Sequence, residues 1–300
     1  KTLLQVSAMV LLLPEPVRVL LQHAFPSAPL TDPTPTIGGF SNLTVGMHLN
    51  GIPAIVKAAT TPLKRADLHR EARILRILAS SGLPIAPLIT ILENPDWLDW
   101  TVEVLGVLPG ENGIQRLNDP PATLAHFYGE LARLLARVHQ LELVGIDEID
   151  LDLPKRAEAV AAALPAVNLP LPLNNALMRG LARASAPHGP LTLVHGDPGA
   201  HNILWHHGIS ALLDWEWSGY GDSLTDIAWI CWTLRFRHLP DSIRHVFLRA
   251  YGLEHPDPTD LRDLALAQIA SILVRVADNP PARAEWLRRL EWTISLPEYY

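Results

Sequence analysis

Cysteine is almost absent from this sequence of 300 residues, which contains Cys231 alone. One cysteine can form neither an internal disulfide nor a Cys-x-x-Cys metal site, which excludes a small disulfide-stabilised domain and is typical of a reducing compartment. Long apolar runs are absent as well. The longest, such as residues 8–13 and 227–232, have six residues, whereas a membrane-spanning helix needs about 20. We therefore expect a cytoplasmic protein that does not enter a membrane.

Lys1 and the apolar residues after it have some features of a signal peptide. Gln5 and Ser7 interrupt the apolar stretch, however, and no Ala-x-Ala cleavage site follows it. We expect a leading helix in its place, followed by a second amphipathic stretch over residues 17–24.

Basic residues are also scarce. The chain has 24 Lys and Arg against 31 Asp and Glu, which gives a formal net charge of −7. Such a surface repels phosphate backbones, so we do not expect nucleic acid as a partner. Hydrophobic residues make up 48% and charged residues 18%, a balance that excludes intrinsic disorder. The length predicts about two domains, and the sequence does not indicate an oligomeric state.

The first hundred residues have the pattern of a small sheet with one helix. Asn50-Gly51 lies between two β-prone stretches and is a strong hairpin signal. Apolar residues then recur at helical spacing over residues 62–80, a segment that carries Glu71. Two further strands are predicted over residues 85–92 and 100–105.

The pattern becomes helical after Gly106. Residues 121–141 form the clearest amphipathic helix. Further helices are predicted near residues 155–163, 174–185, 223–238, 241–251, 259–276 and 280–292. We therefore predict a mixed α/β fold in two parts, a strand-rich part over residues 1–105 and a helical part over residues 106–300.

Polar residues follow three short apolar segments in the second part. Asp197 comes shortly after residues 191–194, Asn202 precedes residues 203–205, and Asp214 follows residues 211–213. Buried polar groups are costly unless they are paired or bind a cation. Mg²⁺ prefers oxygen ligands, which makes Asn202 and Asp214 candidate ligands. Asp197 would lie nearby, where it could accept or orient a hydroxyl proton.

Three segments carry a resemblance to a known family. HGDPGAHN (195–202), LLDWE (212–216) and GDSLTDIA (221–228) resemble the catalytic loop, metal-binding segment and following helix of the aminoglycoside phosphotransferase and choline kinase family. The resemblance implies a protein-kinase-like bilobal fold with a small sheet-rich lobe and a large helical lobe. It also implies transfer of the γ-phosphate of ATP or GTP, with Mg²⁺, to a hydroxyl group of a small molecule.

The resemblance covers most of the chain and assigns roles to individual residues. Asp197 would be the catalytic carboxylate, and Asn202 and Asp214 would be the metal ligands. Lys57 would contact the α and β phosphates and pair with Glu71, as the corresponding ion pair does in protein kinases.

Further residues are implied around the nucleotide and the catalytic loop. The phosphate-covering hairpin would include Gly39, Ser41 and Asn42, and main-chain groups from Glu103 to Leu105 would hold the base. The catalytic loop would be supported by His195 and by Asp226, a buried aspartate that binds the loop backbone. This chain has His201 directly before Asn202, a departure from the family pattern that leaves its role open.

The acceptor stays open at this point. An acidic protein suits a cationic acceptor, so an aminoglycoside-like or other amino-sugar-like molecule is favoured, with choline, homoserine, a macrolide or a methylthio-sugar as alternatives. The acidic loop of Asp147, Glu148, Asp150 and Asp152 could border the acceptor site or be a solvated loop. Trp215, Trp217, Trp229 and Trp232 fit a core better than a ligand cage.

Two other classes of function are weighed against a kinase. A hydrolase would use a transition metal bound by histidines and carboxylates, drawn from His195, Asp197, His201, His206 and His207. A non-catalytic binding protein would keep the kinase fold, although every expected catalytic residue type is present.

Overall fold

The computed structural model describes residues 13–27, 30–31, 33–35, 43–94, 98–141 and 151–296. These residues form two compact units that divide after Gly110. The sequence prediction placed the division a few residues earlier, after residue 105. Among the residues that the structure describes, no helix combines the length and apolar character needed to cross a membrane.

The first unit is built on a five-stranded sheet. Its strands are in the order β1-β2-β3-β5-β4, and all neighbouring pairs are antiparallel. The elements in chain order are α1 (Glu15–Ala24), β1 (Thr34–Pro35), β2 (Leu43–Leu49), β3 (Ile52–Ala59), α2 (Pro62–Leu78), β4 (Leu88–Asn94) and β5 (Leu98–Gly106).

The β2–β3 hairpin turns at the dipeptide that the sequence indicates. Asn50 and Gly51 both have positive φ, 52° and 76°, as the tight two-residue hairpin turn requires. Leu49 pairs with Ile52 on either side of the turn. The turn therefore fixes the register between β2 and β3.

The two faces of this sheet have different partners. Val56 and Val104 are fully buried in a hydrophobic cluster that includes Val17 and Leu21 of α1. The side chain of Lys57, the next residue along β3, points to the other face. Helix α2 supplies its contact there, so α1 covers the apolar face and α2 covers the face that carries the charge.

The second unit is mainly helical. Its helices are α3 (Pro121–His139), α4 (Leu153–Ala163), α5 (Leu171–Ser185), α6 (Leu224–Phe236), α7 (Asp241–Tyr251), α8 (Pro258–Arg275) and α9 (Pro280–Ser295). Its short strands are β6 (Glu111–Asn112), β7 (Thr192–Val194), β8 (Ile203–Trp205), β9 (Ile209–Leu212) and β10 (Gly219–Gly221). The mixed α/β class that the sequence predicts is confirmed.

Prolines mark where many of these helices begin. Helices α3 and α8 start at Pro121 and Pro258, and α5 has a proline in its first turn. Proline is tolerated there because the first N–H groups of a helix have no partner within the helix. Helix α5 therefore begins at Leu171 and not at residue 174, where the sequence analysis placed its start.

Helices α5 and α8 pack so closely that position 180 must be a glycine. A Cβ atom on Gly180 would lie 2.5 Å from the main-chain oxygen of Asp263. Only glycine allows the two helices to approach this closely.

Candidate active site

The loop that follows β7 makes a sharp turn at Gly196. This residue has φ of +86°, and a Cβ atom there would lie 2.6 Å from the main-chain oxygen of Trp217. Both observations require glycine. The turn carries the chain from buried Val194 to Asp197, whose side chain is 20% exposed.

Asp226 binds the main chain of this loop through two hydrogen bonds. It lies in the first turn of α6 and is fully buried. Its Oδ2 accepts a hydrogen bond from the amide of His195 at 2.9 Å, and its Oδ1 accepts one from the amide of Gly196 at 2.8 Å. The contact that the sequence analysis expected for Asp226 is therefore present.

A second hydrogen bond network reaches Asp226 from α3 and α7. Nε2 of His139 lies 3.0 Å from Oδ2 of Asp226, and Nδ1 of the same ring lies 2.7 Å from the hydroxyl of Tyr251. The network thus connects the ends of two helices to the carboxylate that holds the loop.

His195 is fully buried under the loop. Its Nε2 lies 2.9 Å from the main-chain oxygen of Leu213, and its Nδ1 accepts a hydrogen bond from the amide of Asp197 at 3.2 Å. Burial lowers the pKa of His195 below its usual value. The ring is therefore neutral, with its proton on Nε2, and both ring nitrogens are used in main-chain contacts.

The Asp197 carboxylate has donors on both of its oxygens. Nε1 of Trp229 donates to Oδ1 at 2.7 Å, and Nε2 of His201 lies 3.0 Å from Oδ2. Burial alone would raise the pKa of Asp197, but His201 and Trp229 together lower it below its usual value. Burial likewise opposes a charge on His201, and Asp197 overcomes this and raises the pKa of the imidazole. Asp197 is therefore ionised at neutral pH.

Asn202 and Asp214 lie at neighbouring ends of the β8–β9 hairpin. The main-chain oxygen of Asn202 accepts a hydrogen bond from Leu213 at 2.8 Å, and Asp214 is the next residue. Nδ2 of Asn202 donates to the main-chain oxygen of Asp197 at 2.9 Å, which leaves its Oδ1 as the oxygen that can serve as a ligand. An amide oxygen and a carboxylate in one place form the donor set that Mg²⁺ prefers. The residues present therefore fit such an ion.

The histidine-based metal site is not formed. Within the described part of the chain, no three His, Cys, Asp or Glu side chains are arranged to hold a metal ion. His195 uses both ring nitrogens in main-chain contacts, and His206 packs against His207 at 4.7 Å between ring centroids. The alternative of a transition-metal hydrolase gains no support from these contacts.

The first unit contains a buried ion pair. Nζ of Lys57 lies 2.6 Å from Oε2 of Glu71, and the two side chains are 12% and 1% exposed. Glu103 lies opposite Lys57 on β5 and is fully buried. The predicted pairing of Lys57 with Glu71 is therefore present in the fold.

The main chain of Glu103 and Leu105 lies inside the sheet. Glu103 pairs with Lys57 on β3 and Ile91 on β4, and Leu105 pairs with Ile55 and Leu88. The chain leaves the sheet after Gly106, where β5 ends. The predicted base-binding segment thus lies at the end of a central strand.

Family membership follows from comparison with known proteins. The model of the phosphotransferase enzyme family matches residues 34–264. The chain belongs to the phosphotransferase enzyme family. This confirms the family that the sequence motifs resemble.

Solved structures show the same fold. A thermostable mutant of aminoglycoside phosphotransferase APH(4)-Ia in its apo form has a TM-score of 0.69 at 18% identity, over 93% of this phosphotransferase and 98% of that chain. The GDP complex of an aminoglycoside 2′-phosphotransferase has a TM-score of 0.69 at 14% identity, over 92% and 96% of the two chains. At these identities the likeness is one of fold.

One curated relative is similar to this chain over part of its length. The mouse protein acyl-CoA dehydrogenase family member 10 is 24% identical over 177 residues, which are 55% of this chain and 16% of that protein. The chain therefore spans only a small part of this relative.

Some predicted site residues lie outside the described residues of this phosphotransferase. They are Gly39, Ser41 and Asn42 of the predicted phosphate-covering hairpin, and Asp147, Glu148 and Asp150 of the acidic loop. Residues 1–12, which begin the expected leading helix, lie outside them too.

The sequence analysis missed the polar contact that Trp229 makes in the candidate site. It interpreted Trp229 as a core residue, and the residue is indeed 5% exposed. Its indole nitrogen nevertheless donates to Asp197. The spacing contains the signal, because Trp229 follows Asp226 by three residues and so lies on the same face of α6.

Proposed function

We propose that this phosphotransferase transfers the γ-phosphate of ATP or GTP, bound with Mg²⁺, to a hydroxyl group of a small molecule. The observation that carries the proposal is the Asp197 carboxylate, which lies in the loop after β7 beside Asn202. Asn202 in turn is hydrogen-bonded to Leu213, the residue before Asp214. A positioned carboxylate next to oxygen ligands for a cation is the arrangement that phosphoryl transfer uses.

Asp197 is proposed as the catalytic carboxylate. It orients the acceptor hydroxyl and accepts its proton as the oxygen bonds to the γ-phosphorus, while the bond from that phosphorus to the nucleoside diphosphate breaks and the diphosphate leaves. Its lowered pKa keeps it ionised, and its 20% exposed side chain is accessible to a hydroxyl group. Asp226 and His195 keep the loop in place through main-chain hydrogen bonds.

Asn202 and Asp214 are proposed to hold Mg²⁺. The ion would supply positive charge that neutralises the phosphate oxygens. The side-chain amide of Asn202 is already oriented by its bond to Asp197, so its oxygen needs no rearrangement to bind.

Lys57 is proposed to contact the nucleotide phosphates. A lysine ammonium is a compact point charge that suits phosphate, and Glu71 fixes its position at 2.6 Å. Gly39, Ser41 and Asn42 remain proposed phosphate contacts. Main-chain groups around Glu103 and Leu105 remain the proposed contacts of the base.

The acceptor is proposed to be an aminoglycoside-like or other amino-sugar-like molecule. The net charge of −7 suits a cationic acceptor. One structural relative was solved with ADP and hygromycin B, and another with GDP. Choline, homoserine, macrolides and methylthio-sugars are the alternatives to compare.

The test combines binding with a transfer screen. Calorimetric titration with MgATP and MgGTP, each repeated without Mg²⁺, should show magnesium-dependent binding. A screen of hydroxylated small molecules with both nucleotides should then identify a phosphorylated product. Asp197→Asn should abolish most of this product, whereas Asp241→Asn, at an exposed position on α7, should not.

Each negative result has a defined meaning. Magnesium-dependent nucleotide binding without any transfer would favour a non-catalytic binding protein of the same fold. Absence of nucleotide binding would contradict the proposed function.

A further inference from the structure

Trp229 makes the shortest of the side-chain hydrogen bonds to the Asp197 carboxylate. Its Nε1 lies 2.7 Å from Oδ1, whereas His201 and Asn202 approach Oδ2 at 3.0 Å and 3.4 Å. The indole nitrogen can only donate, so it needs an acceptor oxygen at this place. A buried donor that loses its acceptor costs free energy, about 1–3 kcal/mol. Rotation of Asp197 away from Trp229 is therefore unfavourable.

The indole ring is itself held in place. It stacks on Trp232 at 4.7 Å between centroids with 5° between the planes, and on Trp286 of α9 at 6.2 Å with 20°. A ring that packs against two other aromatic rings has little freedom to follow a moving carboxylate. The donor is therefore fixed, and the carboxylate must adapt to it.

We propose that Trp229 is a positioning residue that fixes the rotamer of the Asp197 carboxylate. This inference rests on the proposed function, in which Asp197 accepts the proton of the acceptor hydroxyl. With Oδ1 bound to the indole, the carboxylate plane cannot turn, so Asp197 meets the hydroxyl in one orientation. Small displacements of a reacting group cost up to about 10²-fold in rate. The indole N–H of Trp229 thereby contributes to the rate without touching the substrate.

The chain provides a matched control in Trp232. This residue lies one turn further along α6, belongs to the same stack and is 3% exposed. Its Nε1 donates to the hydroxyl of Thr293 at 2.8 Å, far along the chain from the catalytic loop. Trp229→Phe and Trp232→Phe each remove one buried indole N–H and keep an aromatic ring, but only the first removes a bond to Asp197.

The kinetic test compares these two variants. Trp229→Phe should lower kcat about 10-fold and leave the Kd of MgATP unchanged, while Trp232→Phe should leave both unchanged. In the Asp197→Asn background, Trp229→Phe should cause no further loss of kcat. The effects of substitutions at residues that act as one unit are not additive. An equal loss of kcat in Trp232→Phe, or an undiminished further loss in the double variant, would overturn the inference.

An indole resonance provides a readout that does not depend on turnover. In the full chain labelled with ¹⁵N, the resonance of Trp229 is the one that disappears in Trp229→Phe. It should shift in Asp197→Asn, because a bond to a carboxylate is stronger than one to an amide, while the Trp232 resonance should stay in place. An unmoved Trp229 resonance contradicts the inference. A chain that binds no nucleotide but shows the shift contradicts the proposed function and leaves the contact established.

Discussion

Lys57 in the first unit and Asp197 in the second are stabilised in different ways. Lys57 is paired with the full negative charge of Glu71, and both side chains are almost entirely buried. Asp197 is held by a neutral indole and by an imidazole that is 39% exposed. The first arrangement fixes a charge in space, and the second keeps a carboxylate ionised and accessible. In the proposed function, Lys57 only attracts phosphate, whereas Asp197 exchanges a proton and must stay within reach of the acceptor.

Removal of the Asp197 charge should have the largest effect. Asp197→Asn keeps the shape of the side chain but cannot accept a proton, so turnover should fall about 10²-fold or more. Calorimetric titration should show MgATP binding that is largely intact. Lost nucleotide affinity in this variant, with normal affinity in Asp214→Asn, would reverse the two assignments.

Substitution of Lys57 by arginine tests the buried ion pair of the first unit. Lys57→Arg should lower kcat/KM for the nucleotide nearly as much as Lys57→Ala, by about 10²-fold. The broad guanidinium group does not fit where a compact ammonium lies 2.6 Å from Glu71. Steady-state kinetics of both variants make the comparison. An arginine variant with wild-type kcat/KM would show that Lys57 has no specific role at the phosphates.

Asp214→Asn should act on binding and not primarily on chemistry. Loss of one anionic oxygen lowers the affinity of the site for Mg²⁺, so magnesium-dependent nucleotide affinity should fall at least about 10-fold. Calorimetry at several Mg²⁺ concentrations measures the effect. If higher Mg²⁺ does not restore affinity, Asp214 is not a ligand.

Neutralisation of Glu71 should destabilise the first unit. Glu71→Gln leaves the Lys57 ammonium without its close carboxylate in a buried place. Breaking a fully buried pair costs about 3–5 kcal/mol. Because Lys57 is 12% exposed, we expect a loss of about 2 kcal/mol in the free energy of unfolding. Urea denaturation measures it, and an unchanged midpoint would mean that the pair contributes nothing to stability.

The smallest expected effect is the loss of stability on substitution of Asp260, a carboxylate that has no role in the proposed chemistry. Asp260 accepts hydrogen bonds from Arg183 at 2.9 and 3.2 Å, and these lower its pKa below its usual value against the opposing effect of burial. Its contribution is therefore present above the unfolded pKa and is lost as pH falls through the folded pKa. Asp260→Asn should cost at most about 1 kcal/mol at neutral pH.

The pH dependence of stability tests whether the contribution of Asp260 comes from its ion pair with Arg183. Thermal melts of the Asp260→Asn variant and wild type should converge as the pH falls below the usual range of an aspartate. A difference in melting temperature that persists in strong acid would mean that the ion pair is not its source.

Local signals predicted much of the fold. The hairpin at Asn50-Gly51 needs only its own turn geometry, and the amphipathic helix that became α3 needs only its own periodicity. Strand β6 could not be predicted in this way. Its two residues pair with β8, some ninety positions later in the chain, and no pattern within two residues carries that information.

In the candidate site, too, features that depend on one motif could be predicted, whereas contacts between distant segments could not. The family motifs indicate that Asp226 holds the loop backbone, and the structure contains both hydrogen bonds. The burial of Trp229 was also predicted. A buried tryptophan usually finds a partner for its N–H, but the partner's identity depends on how α6 lies against the loop. The contact of His139 with Asp226 was missed for the same reason, because it joins α3 to α6.

The attachment of the His195 and Gly196 amides to Asp226 also has an entropic consequence. Fixing the backbone of one residue costs about 1–2 kcal/mol of conformational entropy. Here that cost is met when the chain folds, because the two amides bind a carboxylate of the protein itself. A nucleotide or acceptor that reaches Asp197 therefore spends none of its binding free energy on ordering this turn.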